Sequence, residues 1–256
     1  DWSWSRGLGD VYKRQESTYV PLAPEKIVIQ NASIYDGDGG EFFETDVLVE
    51  DGKIIAIGKD LPFSNEFRVI DATGKWVTPG IIDIHSHMGV YPAPGVRTSS
   101  DGNEATSPVT ADVWAEHSIW VQDPQYALAL TGGVTAFHIL PGSANLIGGR
   151  GVTVKNLQRV TINSMKFPDA PHSLKMACGE NPKRVYGNRG QAPSTRMGNA
   201  AGYRKSWIQA EGYLRRLNEY EEKSDEAKEL EYAPTRDLEM ETLAGVLKGE
   251  ILVHNH

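Results

Sequence analysis

The sequence predicts an α/β protein: a partial TIM-like (β/α)8 barrel of about five strands, preceded by a small β-sandwich module. Three observations carry this prediction. Residues 26–78 are rich in short apolar runs closed by turn pairs, with Asp51-Gly52 the strongest hairpin signal. After Pro79 the rhythm changes to strands alternating with helices, which favours a parallel sheet. Only 178 residues follow residue 78 (256 − 78), whereas a complete barrel of this kind needs about 250.

The first fifteen residues, DWSWSRGLGDVYKRQ, follow neither strand nor helix periodicity. They resemble translated adaptor sequence, so residues 1–15 are set aside as a non-native tail, with a disordered native tail as the alternative. The sandwich module is assigned to 16–78. Within it, KIVIQNASIYDG alternates and then turns at Asp36-Gly37-Asp38-Gly39-Gly40. FETDVLVEDGKIIAIGKD is two apolar runs joined at Asp51-Gly52. FRVIDATGKWVTPG adds a strand, a turn at Thr73-Gly74-Lys75 and a short strand through Trp76 and Val77.

The barrel is assigned to 79–256. Its strands are expected at 81–85, 134–140, 173–177 and 251–254, and its helices at 111–122, 124–131, 200–222 and 236–248. In DLEMETLAGVLKGE, the residues Leu238, Thr242, Leu243, Val246 and Leu247 fall near one face, and Gly249 supplies a stop. GSANLIGGRGVTVK lacks the Gly-Lys-Ser/Thr ending of a phosphate loop and reads as a loop and hairpin near the barrel mouth. GENPKRVYGNRGQAPSTRMGNAAGYR reads as a long irregular basic loop, and NEYEEKSDEAKELEY as a solvated helix surface. The chain stops on ILVHNH, inside an expected strand, so the sequence reads as truncated.

Composition narrows the partners. The formal net charge is −8 with acids and bases interspersed, and no basic stripe suited to nucleic acid is present. A small-molecule partner fits better, and homo-oligomerisation is left open. The single Cys178 excludes an internal disulfide. No apolar run approaches the ~20 residues of a membrane span. Localisation is undetermined; the cytoplasm is favoured, with periplasm or secretion as alternatives.

The chemistry concentrates in PGIIDIHSHMGVY. Side chains alternate across a strand, so His85 and His87 project to the same side of the one that starts at Ile81. At the carboxyl end of a barrel strand that side is the mouth, where active sites of this architecture lie. Two neutral imidazoles there are ready ligands for a divalent ion such as Zn²⁺. His-x-His alone recurs by chance, and it is the surrounding text that gives it weight.

VTPGIIDIHSH, preceded by VEDGKIIAIGKD and VIDATGKWV, closely resembles the amidohydrolase superfamily of metal-dependent hydrolases, and within it the imidazolonepropionase-related branch. LTGGVTAFHILPG is similar to the family's second barrel strand. The resemblance implies a barrel with a sandwich built from both chain ends. It implies metal ligands from strand one (His-x-His), strand four (a carboxylated Lys or a Glu), strands five and six (one His each) and strand eight (Asp). Carried over, His85 and His87 are the first pair. SLKMACGE matches the fourth strand, with Lys175 as the carboxylated residue and Glu180 as the alternative. LVHNH supplies His254, with His256 as the alternative on the same face. One or two ions fit, Zn²⁺ foremost.

The implied reaction is hydrolysis of a C–N bond other than a peptide bond, in an amide, lactam or cyclic amide, by metal-activated water. The sixth-strand His and the eighth-strand Asp, the general acid/base, fall beyond residue 256, so no catalytic residue is assigned within the chain. The chain alone is therefore expected to be inactive and to expose an edge at its fifth strand. A non-catalytic scaffold used for binding or assembly is the alternative. His138 either lines the pocket or packs in the core, His117 reads as packing or surface, and His172 carries no role. Arg184, Arg189, Arg196 and Arg204 are candidates to hold an anionic substrate group, each with a plain surface role as the alternative.

Overall fold

The computed structural model describes residues 15–23 and 25–256. Of the segment set aside as a tail, residues 1–14 lie outside the described residues. Among the described residues two compact units emerge, one over Tyr19–Ile81 and a second made of Ile82–His256 with residues 15–18. The sandwich module is expected over 16–78, whereas the smaller unit spans Tyr19–Ile81.

In the smaller unit, β1 (Ile27–Tyr35), β2 (Glu41–Glu50), β3 (Lys53–Gly58), β4 (Arg68–Asp71) and β5 (Trp76–Val77) form one mixed five-stranded sheet. Its order is β3-β2-β1-β4, with β5 also on β1. The Asp51-Gly52 hairpin forms as read: both residues have positive φ, +51° and +70°, as a type I′ turn demands. Buried Ala32, Ile34, Val47 and Ala72 make its core. Buried Asp46 accepts hydrogen bonds from the amides of Asn31 (3.0 Å) and Leu61 (3.2 Å), which pins the turn around Asn31.

The larger unit is built on a second five-stranded sheet, β10-β9-β8-β7-β6. Its strands are β6 (Ile81–Ser86), β7 (Val134–Ile139), β8 (Ile147–Lys155), β9 (His172–Met176) and β10 (Ile251–Asn255). Among the described residues, five α-helices accompany them: α1 (Gln125–Thr131), α2 (Glu180–Gly187), α3 (Arg196–Glu221), α4 (Asp225–Leu230) and α5 (Leu238–Leu247). Period-two alternation sorts the sheet's faces. Phe137, Ile139, Val152 and Val154 join one buried cluster with Tyr126 of α1. Leu174, Met176 and Ile251 join another with Ala210 and Tyr213 of α3 and Met240, Leu243 and Ala244 of α5. The intervening residues, His138, Thr153, Ser173, Lys175 and His254, are polar and share the other face.

Three sequence expectations are corrected. The stretch read as a loop and hairpin contains β8, antiparallel to both β7 and β9, so the sheet is not wholly parallel. The β9–β10 pair shows the parallel register expected of a barrel, with His254 opposite Lys175. The helix expected at 111–122 is a single 3₁₀ turn, Ala115–His117. The chain there follows β8 instead: the Arg150 amide donates to the Val113 carbonyl at 2.8 Å, and Trp114 bridges to Arg150. The basic stretch after β9 is mostly helical, in α2 and the start of α3.

The stops and starts follow local chemistry. Thr195 Oγ1 accepts from the Gly198 amide and caps α3, and Asp237 Oδ1 accepts from the Met240 amide and caps α5. α5 ends at Gly249, whose φ is +78°; its amide donates to Val246 and that of Glu250 to Gly245, a Schellman close.

In the first turn of α5, burial and then the nearby Asp112 and Asp237 push the Glu239 carboxyl up from 4.5 to about 7. Between those values the folded chain holds a proton that the unfolded chain has released, so stability falls as pH rises through the window. Glu239→Gln is expected to flatten that fall, read from urea midpoints at about pH 5 and about pH 8. Parallel pH dependence in wild type and variant would contradict it.

Candidate metal centre

β6 and β10 are opposite ends of the sheet's order, four strand spacings apart. In a flat sheet they would stand about 19 Å apart, at ~4.8 Å per strand. Yet His85 Nδ1 and His254 Nε2 are 3.3 Å apart. The sheet is therefore curled as a partial barrel, and its polar face is the inside of the curl.

Lys175 of β9 reaches the same point. Its Nζ lies 3.0 Å from His85 Nε2, within hydrogen-bond distance. Lys175 is only 1% exposed, and among the described residues no carboxylate pairs with it. The His85 ring meets those of His87, His254 and His256 edge to face, at centroid distances of 5.4, 4.7 and 5.1 Å. Among the described residues, no three His, Cys, Asp or Glu side chains are grouped so as to hold a metal ion as they stand.

Burial sets the protonation states. Burial first, then Lys175, then His254, His87 and His256, hold His85 down at about 4. His254 is also lowered, by burial and then by Lys175 and His256. Both rings are thus neutral near pH 7 and keep a lone pair. Burial alone brings Lys175 down to about 8, which raises its free-amine fraction. A neutral amine has a lone pair to react or coordinate with, whereas an ammonium has none.

His87 is fixed from behind. Its Nδ1 donates to the Leu140 carbonyl at 2.9 Å, which leaves Nε2 with the lone pair, the usual outer support of a ligating imidazole. The turn after it is held by Asp123, 3% exposed, which accepts from the amides of Gly89 (3.2 Å), Ala93 (3.3 Å) and Gln125 (3.0 Å). Gly89 has φ +75°, and a Cβ there would come within 2.9 Å of Ile119 and Tyr126. Asp123→Ala leaves these amides without their acceptor. It is expected to cost about 1–3 kcal/mol, and an unchanged denaturation midpoint would refute this role.

The remaining candidates lie elsewhere. Glu180 opens α2, is exposed, and accepts from Arg184 Nε at 2.9 Å. Arg189 donates to the Ala105 carbonyl and covers the Tyr186 ring, while Arg196 and Arg204 are exposed on α3. His117 is stacked on Trp114 at 5.5 Å. His138 lies inside the curl, bonded to Thr153 and Ser173. Those two hydroxyl residues and Asp123 escape a sequence reading, because isolated Ser, Thr and Asp carry no spacing signal. Tyr91, edge-on to His87 at 5.7 Å and bonded through its hydroxyl to Asn103, escapes it likewise.

No family model matches the chain. Amidohydrolase tasK of Hapsidospora irregularis is 33% identical over 276 residues, covering 95% of this chain and 28% of that protein. A dihydroorotase of Lactobacillus helveticus is 46% identical over 74 residues, 29% of this chain and 16% of the enzyme. The crystal structure of an amidohydrolase from Thermotoga maritima superposes with a TM-score of 0.80 at 38% identity, over 90% of this chain and 58% of that one. The chain thus spans under a third of the first relative and under two thirds of the solved one. A likeness that runs through nine-tenths of the chain, in sequence and fold together, reflects descent: the chain belongs to the amidohydrolase superfamily.

Proposed function

We propose that the protein carrying this chain is a metal-dependent hydrolase of C–N bonds other than peptide bonds, acting on an amide, lactam or cyclic amide. The reading rests on one observation: His85, Lys175 and His254, from three strands, meet within 3.0–3.3 Å inside the curl. The donor set fits a divalent ion. Two nitrogens on a tetrahedral ion with ~2.0–2.1 Å bonds stand about 3.3–3.4 Å apart, the separation found between His85 and His254.

His85, His87, Lys175 and His254 would hold the ion, with His256 in reserve, and nitrogen-rich ligation favours Zn²⁺. Such an ion supplies Lewis acidity, polarising a carbonyl and making water a stronger nucleophile. The chain's own work is to keep imidazoles neutral, to fix His87 through Leu140, and to exclude carboxylates from Lys175. A free Lys175 amine adds to CO2 to give a carbamate and a proton, turning a poor ligand into two oxygens. One ion or two then depends on that carboxylation. The dihydroorotase relative supports a ring amide as substrate.

The test is metal content with hydrolysis of a panel of ring amides by the protein that carries this chain. Bound divalent ion, lost with activity on chelation and restored by Zn²⁺, is expected. A folded, metal-free protein that turns over no member of the panel would overturn the proposal.

A further inference from the structure

The barrel interior of this fold is ordinarily filled by branched aliphatic side chains. Here the space beside the histidines holds an imidazole and two hydroxyls. His138 Nδ1 bonds Thr153 Oγ1 at 2.9 Å, and His138 Nε2 bonds Ser173 Oγ at 2.7 Å. Thr153 is its cross-strand partner on β8, but Ser173 belongs to β9, on the far side of β8. The reach across β8 depends on Gly151, which pairs with Ser173. A Cβ at 151 would lie 2.6 Å from Ser173 Oγ and would occupy the path of that bond. Both ring nitrogens are bonded to side chains on different strands, which fixes the orientation of the His138 ring. One nitrogen donates and the other accepts, and either arrangement suits two hydroxyls.

The face of that ring is turned to His254, at 6.2 Å between centroids and 28° between planes. On β10, His254 is half-buried between exposed Val253 and Asn255. Its other ring contact is the edge of His85 at 4.7 Å. Placing three polar side chains in a barrel interior costs desolvation that well-packed aliphatics would not incur. The arrangement therefore calls for a return, and the adjoining group is His254.

We infer that Thr153, His138 and Ser173 form a positioning platform, opened by Gly151, that sets the orientation of the His254 ring. None of the three touches the ion in this account; they are positioning residues, and the inference rests on the metal-centre reading above. Ligand-orienting partners are typically worth about 10–100-fold in metal affinity.

The experiment compares wild type, His138→Phe, Ser173→Ala and His138→Gln. Co²⁺ is titrated against absorbance, and the His254 ring signals are followed by NMR in the metal-free chain. His138→Phe keeps ring bulk and loses both bonds; Ser173→Ala loses one; His138→Gln retains an amide able to reach Ser173. The first two are expected to bind Co²⁺ about 10–100-fold more weakly with altered d–d bands, and to show an averaged His254 ring, while Gln recovers part of both. Folded His138→Phe and Ser173→Ala with unchanged affinity, bands and His254 signals would overturn the platform. If wild type takes up no Co²⁺ yet the His254 ring averages in both variants, the platform stands and the metal reading falls.

Discussion

Removing the carboxylate of Glu116 by substitution with Leu, with Lys166 left in place, is expected to destabilise the larger unit by about 3–5 kcal/mol. The two side chains are 4% and 6% exposed, and Lys166 Nζ stands 2.9 Å from Glu116 Oε1. Lys166 Nζ also donates to the Gln15 carbonyl at 2.8 Å, so it holds the incoming chain as well. The cost of the single change is mostly the ammonium left buried without its counter-charge, not the worth of the pair. Hence Lys166→Met with Glu116→Leu should recover most of the loss. Urea denaturation of the two single variants and the double variant measures this. Single-variant losses below about 1 kcal/mol, the range of exposed pairs, would contradict it.

The second large effect has two signs. Lys175→Met is expected to raise the stability of the metal-free chain by about 1–3 kcal/mol, because it replaces a buried amine held by a single bond with a thioether of similar length. The same change is expected to weaken divalent-metal binding by more than the ~10–100-fold typical of an outer-sphere partner. A residue kept for packing would do the opposite on the first count and nothing on the second. Thermal midpoints in chelator and Zn²⁺ competition titrations give the two readings, and a destabilised variant with unchanged Zn²⁺ affinity would remove Lys175 from the site.

The parts of this molecule that a reader of the sequence can find are those set by local chemistry. Asp51-Gly52 takes the positive φ angles that its residue types allow cheaply. β6 ends at Ser86, so alternation reaches His85 but not His87, whose ring still lies 5.4 Å from that of His85, and Lys175 and His254 stand opposite each other in a parallel pair. β8 escapes because Gly148, Gly149 and Gly151 read as loop, whereas Gly149 and Gly151 permit close approaches: a Cβ at 149 would lie 2.4 Å from the Val113 carbonyl oxygen. α2 is hidden by Pro182, which tolerates a place in the first turn of a helix although it argues against one further in. The false helix at 111–122 shows the converse. Helical spacing there is overridden by pairing of Trp114 and the Thr110 amide with β8, which only the assembled sheet provides. The His138 platform belongs to the same class, since its three members come together only when β7, β8 and β9 lie side by side.

X-ray absorption at the zinc edge of the loaded chain counts the groups around the ion. A first shell of nitrogen and oxygen at ~2.0–2.1 Å is expected, with outer scattering from imidazoles that diminishes in both His85→Ala and His254→Ala. Bound zinc whose imidazole scattering is the same in wild type and both variants would contradict the convergence of these strands on one cation.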